Sequence, residues 1–135
     1  MAHRTYDHDI EVQYRDLDPR KHVNHAVYVS YLEQAKGEFF LDVLGTSLAD
    51  VNTAVRSLDV DYVAPILADR TVRVSVGPVG LGETSYTIGY EVTDGGDLAA
   101  TAETVSVLLD EDGTPRSLPE AWRESLDPYT GEGGA

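Results

Sequence analysis

The sequence predicts an α+β fold in which an antiparallel sheet of about five strands wraps around one long central helix. Three features of the chain lead to this prediction. Several segments alternate between apolar and polar residues, which is the pattern of half-buried strands. One early segment instead has apolar residues at the spacing of a helix. Turn-forming residues separate the later alternating segments, so consecutive strands can pair as hairpins.

The first strand is predicted over residues 9–14, where polar residues alternate with apolar ones. The apolar set comprises Ile10, Val12 and Tyr14. A polar stretch, residues 15–22, follows the strand and separates it from the helix. Within it, Pro19 disfavours a helical backbone at Asp18. This stretch is therefore predicted to be a constrained loop.

One long helix is predicted from about Val23 to Leu44. Asn24 is a candidate N-cap, and Gly45 is a candidate stop at the other end. Apolar residues cover more than one narrow stripe of this segment, which predicts that much of the helix circumference is buried.

Four further strands are predicted over residues 57–62, 71–76, 86–92 and 98–109. The Asp-Gly-Gly-Asp sequence at 94–97 is a strong hairpin signal between the last two. A short helix is predicted over 119–126, but only the early helix is long enough to cover the sheet. We expect a single domain over residues 1–127 and a flexible C-terminal tail over 128–135.

The chain is strongly acidic and has no cysteine. Its 135 residues include 24 acidic and 10 basic side chains, which gives a formal net charge of −14. Without a basic patch to neutralise phosphates, it is expected to bind neither nucleic acid nor an anionic membrane. The lack of cysteine excludes disulfides and thiolate metal sites. No segment has the apolar length of a membrane span or a signal peptide, so a cytoplasmic location is expected.

Residues 14–28 are predicted to carry the chemistry, because they place a carboxylate shortly before a helix N-terminus. The first N–H groups of a helix lack intrahelical partners and lie at the positive end of its dipole. They can therefore stabilise the charge that develops on a carbonyl oxygen under attack. A carboxylate on the other side of the carbonyl can activate water as a general base or attack the carbon itself. Thioesters suit such a site, since resonance stabilises their carbonyl only weakly and the thiolate is a good leaving group.

In these residues the chain resembles the hotdog-fold acyl-CoA thioesterases of the 4-hydroxybenzoyl-CoA thioesterase-like family. The resemblance spans residues 10–109, nearly the whole domain. It is carried by four segments, which are YRDLD at 14–18, HVNH at 22–25, YVSYLE at 28–33 and VDYVAP at 60–65. The chain departs from the family pattern at Lys21, where many relatives have glycine.

The resemblance implies that Asp18 is the catalytic carboxylate and that the backbone N–H near His25 polarises the thioester carbonyl. The His25 side chain is also a catalytic candidate, either by orienting the substrate or by hydrogen-bonding to Asp18. Tyr14, Asn24 and Tyr28 are candidates for contacts with the substrate. Helix capping is the alternative role for Asn24, and core packing is the alternative for Tyr28. The implied substrate is an acyl-CoA, hydrolysed without a cofactor or a metal by a homodimer or homotetramer.

Other interpretations of the same residues remain open. Asp18 precedes a proline, as a simple turn residue would. Together with His22 and His25, it also forms an incomplete set of metal ligands. Glu33, an acid on the central helix, is expected at a subunit contact or in solvent. The functional alternatives are a thioesterase for acyl carrier protein, a hydratase or dehydratase on the same fold, and a non-catalytic acyl-binding subunit.

The acidic residues are scattered along the chain, which predicts a solvated acidic shell suited to a high-salt cytoplasm. Molar salt screens the self-repulsion of such a shell, because it shortens the Debye length to about 3 Å. We therefore expect a higher melting temperature in molar potassium chloride than in dilute buffer when unfolding is followed by circular dichroism. An unchanged melting temperature would contradict adaptation to salt.

Overall fold

A single antiparallel sheet forms the frame of the molecule. The computed structural model describes residues 3–130. Its strands are β1 (Tyr6–Glu11), β2 (Thr53–Tyr62), β3 (Thr71–Leu81), β4 (Ser85–Asp94) and β5 (Asp97–Leu108). The strands lie in the order β1-β3-β4-β5-β2, and every neighbouring pair is antiparallel. The predicted five-stranded sheet is confirmed.

One long helix packs against this sheet, which confirms the predicted hotdog arrangement. The helix α1 (Val27–Phe39) continues into a π-helical turn (Phe40–Leu44). Gly45 then ends the helical segment in the left-handed region with a φ of 67°, as predicted. Its buried side chains are Tyr28, Tyr31, Leu32, Ala35, Lys36 and Phe39. No helix within residues 3–130 is long and apolar enough to cross a membrane.

The core lies between α1 and the central strands of the sheet. The sheet contributes a set of nearly inaccessible alternating side chains, namely Val72, Val74 and Val76 of β3 and Tyr86, Ile88, Tyr90 and Val92 of β4. A second helix, α2 (Glu120–Leu126), places the ring of Trp122 at 5.5 Å from that of Phe40. The edge strand β2 is mostly exposed, so α1 covers the sheet unevenly.

The first strand ends earlier than the sequence pattern predicts. The chain turns at Gln13, whose backbone N–H donates a hydrogen bond to Asp16 Oδ2 at 2.8 Å. A short 3-10 turn (Tyr14–Asp16) therefore replaces the end of the expected strand. Tyr14 is 88% exposed as a result, rather than lying on the buried face with Ile10.

The helix also begins later than predicted. Ala26 is its N-cap residue, and Asn24 lies two positions ahead. Asn24 Oδ1 accepts a hydrogen bond from the Ala26 N–H at 2.8 Å, and its backbone carbonyl accepts one from the Val27 N–H at 2.9 Å. The Asn24 side chain thus stabilises the turn that leads into the helix instead of capping the helix itself.

The C-terminal segment differs from the expected tail over its first residues. Tyr129 belongs to a short 3-10 turn (Asp127–Tyr129) and is buried. Its ring lies 5.1 Å from that of Phe39, in an edge-to-face arrangement. The packed domain therefore extends beyond residue 127, and the rest of the expected tail, 131–135, lies outside the described residues.

Candidate active site

A short loop between β1 and α1, residues 17–23, holds the candidate carboxylate; we call it the Asp18 loop. Leu17 and Val23 form an antiparallel bridge that closes its base. Within it, the Asp18 N–H donates to the His22 carbonyl at 2.8 Å, and the Lys21 N–H donates to the Asp18 carbonyl at 2.9 Å. These bonds make the loop a tight hairpin, and a bridge between His22 and Leu67 attaches it to the chain beyond β2.

Lys21 occupies the position in this hairpin that requires an unusual backbone. Its φ of 64° lies in the left-handed region, where glycine carries little penalty and a residue with a Cβ atom is disfavoured. Lys21 adopts this conformation, and the loop closes through the bridge between Leu17 and Val23.

The Asp18 carboxylate is held from within its own loop. Its Oδ1 atom accepts hydrogen bonds from the backbone N–H groups of Arg20, at 2.8 Å, and His22, at 3.1 Å. Its Oδ2 atom lies 3.1 Å from the Arg20 guanidinium. Partial burial acts to raise the pKa of Asp18, but the hydrogen bonds from His22 and Arg20, together with the Arg20 charge, outweigh it and lower that pKa. The carboxylate is therefore ionised at neutral pH.

Asp18 faces a cleft of about 280 Å³ beside the N-terminal end of α1. The cleft is lined by Asp18, Arg20, His22, Val23, His25, Tyr28, Tyr62, Val63, Ala64 and Pro65. The structure thus brings three of the predicted site residues, Asp18, His25 and Tyr28, to one cavity. Tyr28 is almost fully buried there, at 3% exposure, so most of its ring belongs to the core.

The other two predicted substrate contacts lie elsewhere. Tyr14 lines a separate pocket of about 230 Å³ with Lys21 and Asp69. Asn24 is not among the residues that line the Asp18 cleft, and its side chain is hydrogen-bonded to the Ala26 N–H. The early turn at Gln13 accounts for the position of Tyr14, since it removes this residue from the first strand and leaves its side chain exposed.

The backbone N–H and carbonyl of His25 differ in their hydrogen bonding. Within residues 3–130, the His25 N–H has no hydrogen-bond acceptor, whereas the next N–H, that of Ala26, is satisfied by Asn24. The His25 carbonyl accepts a hydrogen bond from the Tyr62 hydroxyl at 2.7 Å. The Tyr62 ring also packs edge-to-face on Tyr28, with 4.9 Å between centroids. A backbone N–H without an acceptor within residues 3–130 thus belongs to a residue, His25, that lies just ahead of the α1 N-terminus and lines the same cleft as Asp18.

Sequence reasoning missed Tyr62 as a site residue. Its place in an alternating strand predicted only that it is part of the sheet. The structure places Tyr62 at the end of β2, half exposed at 49%, with its hydroxyl on the His25 carbonyl. The usable signal was its position in the VDYVAP segment, one of those that carry the family resemblance.

A second missed feature is the contact that attaches the loop region to α1. The buried Tyr31 hydroxyl donates to Asp16 Oδ2 at 2.7 Å, the same oxygen that accepts from the Gln13 N–H. The Asp16 carbonyl in turn accepts from the Asn24 N–H at 2.8 Å. Asp16 therefore joins both sides of the Asp18 loop to the central helix, although no local pattern identifies this pairing.

The possible metal ligands do not assemble into a centre. Asp18, His22 and His25 line the same cleft. Even so, no group of three or more His, Cys, Asp or Glu side chains within residues 3–130 is arranged to hold a metal ion. The arrangement of these residues instead offers an ionised carboxylate and a free backbone N–H.

A five-stranded antiparallel sheet wrapped around one helix is the hotdog fold, and the similarity to known thioesterases makes this chain a thioester hydrolase. A family profile described as the thioesterase-like superfamily matches residues 12–126, and the chain belongs to this superfamily. No curated protein matches the chain.

Several solved structures are similar over nearly their whole length. A thioesterase from Thermus thermophilus, solved with coenzyme A and Zn, is 40% identical with a TM-score of 0.82, covering 89% of this chain and 90% of that one. A DHNA-CoA thioesterase from Staphylococcus aureus is 25% identical with a TM-score of 0.82, covering 91% and 89%. A predicted thioesterase from Bacillus stearothermophilus is 24% identical with a TM-score of 0.85, covering 94% and 97%.

Replacing Tyr31 with phenylalanine should destabilise the protein, because it removes a buried hydroxyl that donates to the Asp16 carboxylate. A hydrogen bond to a charged group contributes about 1.5–3 kcal/mol, so urea unfolding should show a loss of that size. Tyr28→Phe is the matched control, since the Tyr28 hydroxyl lies 3.5 Å from the Ala64 carbonyl, at the limit of a hydrogen bond. Equal losses in the two variants would contradict the anchoring role of Tyr31.

Proposed function

We propose that the protein is an acyl-CoA thioesterase in which Asp18 supplies the catalytic carboxylate. The observation that supports this most is the shared cleft, which is lined by an ionised carboxylate, Asp18, and by His25, whose backbone N–H has no acceptor within residues 3–130 and lies just ahead of the α1 N-terminus. The similar T. thermophilus thioesterase was solved with coenzyme A, which supports a CoA ester as the substrate class. The proposed products are the free acid and CoA.

In the general-base form of this reaction, a water molecule adds to the thioester carbon while its proton passes to Asp18 Oδ2. The former carbonyl oxygen becomes an oxyanion and is stabilised by the His25 N–H and the positive end of the α1 dipole. The C–S bond then breaks, its electron pair leaves with sulfur, and the CoA thiolate is protonated. In the nucleophilic form, Asp18 Oδ2 itself adds to the carbon, and the C–S bond breaks with its electron pair leaving on the CoA sulfur, which is then protonated. Water later hydrolyses the resulting mixed anhydride to the free acid and the Asp18 carboxylate. Both forms require the Asp18 carboxylate to be ionised.

The His25 and Tyr62 side chains are proposed to shape the binding of the acyl thioester. The two rings lie edge-to-face, with 6.4 Å between centroids, at the mouth of the cleft. The Tyr62 hydroxyl holds the His25 carbonyl, and this contact orients the start of the helix that carries the proposed oxyanion donor. His25 therefore contributes through its backbone, and its imidazole is positioned to contact the substrate.

We also propose that the active form is a homodimer or a homotetramer. The edge strand β2 pairs only with β5 among residues 3–130, which leaves ten residues of edge able to pair with a second copy. Exposed apolar side chains on this strand (Val55, Leu58 and Tyr62) support such an interface. Light scattering in molar salt should give a mass of two or four chains, and Leu58→Asp should lower it. A fully active monomer would contradict the proposal.

The central test is the Asp18→Asn variant. The asparagine side chain retains an oxygen that can accept from the Arg20 and His22 N–H groups, so the loop should keep its shape while the charge is lost. Loss of a general base lowers the rate about 10²- to 10⁴-fold, and the loss should fall on kcat with KM little changed. The measurement is hydrolysis of a panel of acyl-CoA esters, with excess EDTA present to remove any metal.

Asn24→Ala is the control for loop disturbance. It removes the side-chain acceptor of the Ala26 N–H and should lower the free energy of unfolding by about 1 kcal/mol without abolishing activity. Near wild-type hydrolysis by Asp18→Asn would show that another residue is the catalyst. Loss of wild-type activity in EDTA, restored by zinc, would instead point to a metal site at Asp18, His22 and His25.

A further inference from the structure

We propose that the Arg20 guanidinium blocks the reactive oxygen of Asp18, Oδ2, by binding to it. A phosphate group of the substrate would bind Arg20 in its place and so free this oxygen. Binding of a phosphate-bearing thioester would thus coincide with release of the catalytic oxygen. The inference rests on the proposed function, and it assigns Arg20 a positioning and specificity-determining role that its sequence position alone does not suggest.

The two oxygens of Asp18 have different surroundings, and this difference is the first step of the argument. Oδ1 is fixed by two backbone N–H groups of its own loop, those of Arg20 and His22. Oδ2 has one partner within residues 3–130, the Arg20 guanidinium at 3.1 Å. Oδ1 therefore holds the carboxylate in its loop. Oδ2 loses its partner when the Arg20 side chain moves away, and it can then act as base or nucleophile.

The Arg20 side chain can leave with little effect on the fold. It is 79% exposed, while the Asp18 side chain is only 12% exposed. Exposed ion pairs contribute little stability, because water and salt screen them and because holding a long side chain costs entropy. The loop does not need the guanidinium either, since the Arg20 backbone N–H, and not its side chain, holds Oδ1.

Phosphate is the chemical group suited to replace the Asp18 carboxylate as the partner of the Arg20 guanidinium. A guanidinium binds phosphate through two parallel hydrogen bonds and keeps its charge at every relevant pH. Among the described Lys and Arg residues, Arg20 is the one that lines the Asp18 cleft. In a chain with a net charge of −14, an anionic substrate finds few other cations near the reacting carbon. CoA has phosphates at the far end of its flexible pantetheine arm, and Arg20, which is 79% exposed, can turn outward to meet one of them.

The test uses four thioesters of one acyl group, built on CoA, 3′-dephospho-CoA, 4′-phosphopantetheine and pantetheine. Wild-type protein should hydrolyse the pantetheine ester poorly, because nothing withdraws Arg20 from Asp18. The four esters differ in which phosphate groups they carry. The two neighbouring esters between which kcat/KM rises therefore identify the phosphate that Arg20 binds. Arg20→Gln should remove that step, lowering kcat/KM for the CoA ester about 10- to 100-fold through the lost charge-assisted contact.

The same variant should hydrolyse the pantetheine ester about two- to fivefold faster than wild type, since Oδ2 is no longer covered. A residue that only binds phosphate, or only supports the loop, would not produce this gain. Arg15→Gln is the matched control, because it makes the same change of charge on an exposed arginine that lines a different cleft. Its profile over the four esters should follow that of the wild type.

The outcomes separate this inference from the proposed function. If wild-type protein hydrolyses none of the four esters, the proposed function fails and the inference fails with it. If wild-type protein is active but Arg20→Gln keeps the wild-type pattern, or loses the same factor on every ester, the function stands and the inference is overturned. Thermal melting of both variants verifies that any change in rate occurs in folded protein.

Discussion

The packing of one helix against an unevenly covered sheet is the constraint on which the rest of this structure depends. Only α1 is long enough to cover the five strands, so every functional group near its N-terminus takes its position from that packing. The far end of the helix is held by aromatic contacts, in which Phe39 and Phe40 meet Tyr129 and Trp122 with centroids 5.1 and 5.5 Å apart. The near end is held by polar contacts instead, and these are the contacts that build the site.

Those polar contacts connect α1 to two different parts of the chain. Tyr31 binds Asp16, on the approach to the Asp18 loop, and Tyr62 at the end of β2 binds the His25 carbonyl. Both donors are phenols whose rings pack against apolar or aromatic neighbours while the hydroxyl reaches a polar partner, which is the usual behaviour of partly buried tyrosines. The two contacts therefore hold the approach to the Asp18 loop and the His25 carbonyl, on either side of the start of α1.

The fold could be predicted from periodicity, because the strands and the helix bury one face each and their patterns are long. The site could be predicted only where local sequence decides the geometry. Asp18 and His25 lie in a compact loop and helix start, and both reach one cleft. Tyr14 was misplaced because the Asp16 side chain turns the chain early through the Gln13 N–H. Asn24 was misplaced because the helix begins later than predicted, which leaves its side chain bonded to the Ala26 N–H. The Tyr31–Asp16 and Tyr62–His25 contacts span 15 and 37 residues, and no periodicity carries information over such separations.

The net negative charge of the protein restricts how this cleft can bind an anionic substrate. An acidic protein that takes an anionic ester needs positive charge near its cleft, yet several of its few cations are already paired. Lys36 lies 3.7 Å from Glu33, Arg73 is bonded to Asp9 at 2.8 Å, and Arg20 is bonded to Asp18 at 3.1 Å. A phosphate that binds at this cleft must therefore exchange partners with a carboxylate rather than occupy a vacant cation. Under the proposed function this carboxylate is the catalytic one. Binding of the substrate phosphate and exposure of Asp18 Oδ2 would then occur together, and recognition of the distant end of the substrate would be coupled to chemistry at the carbonyl.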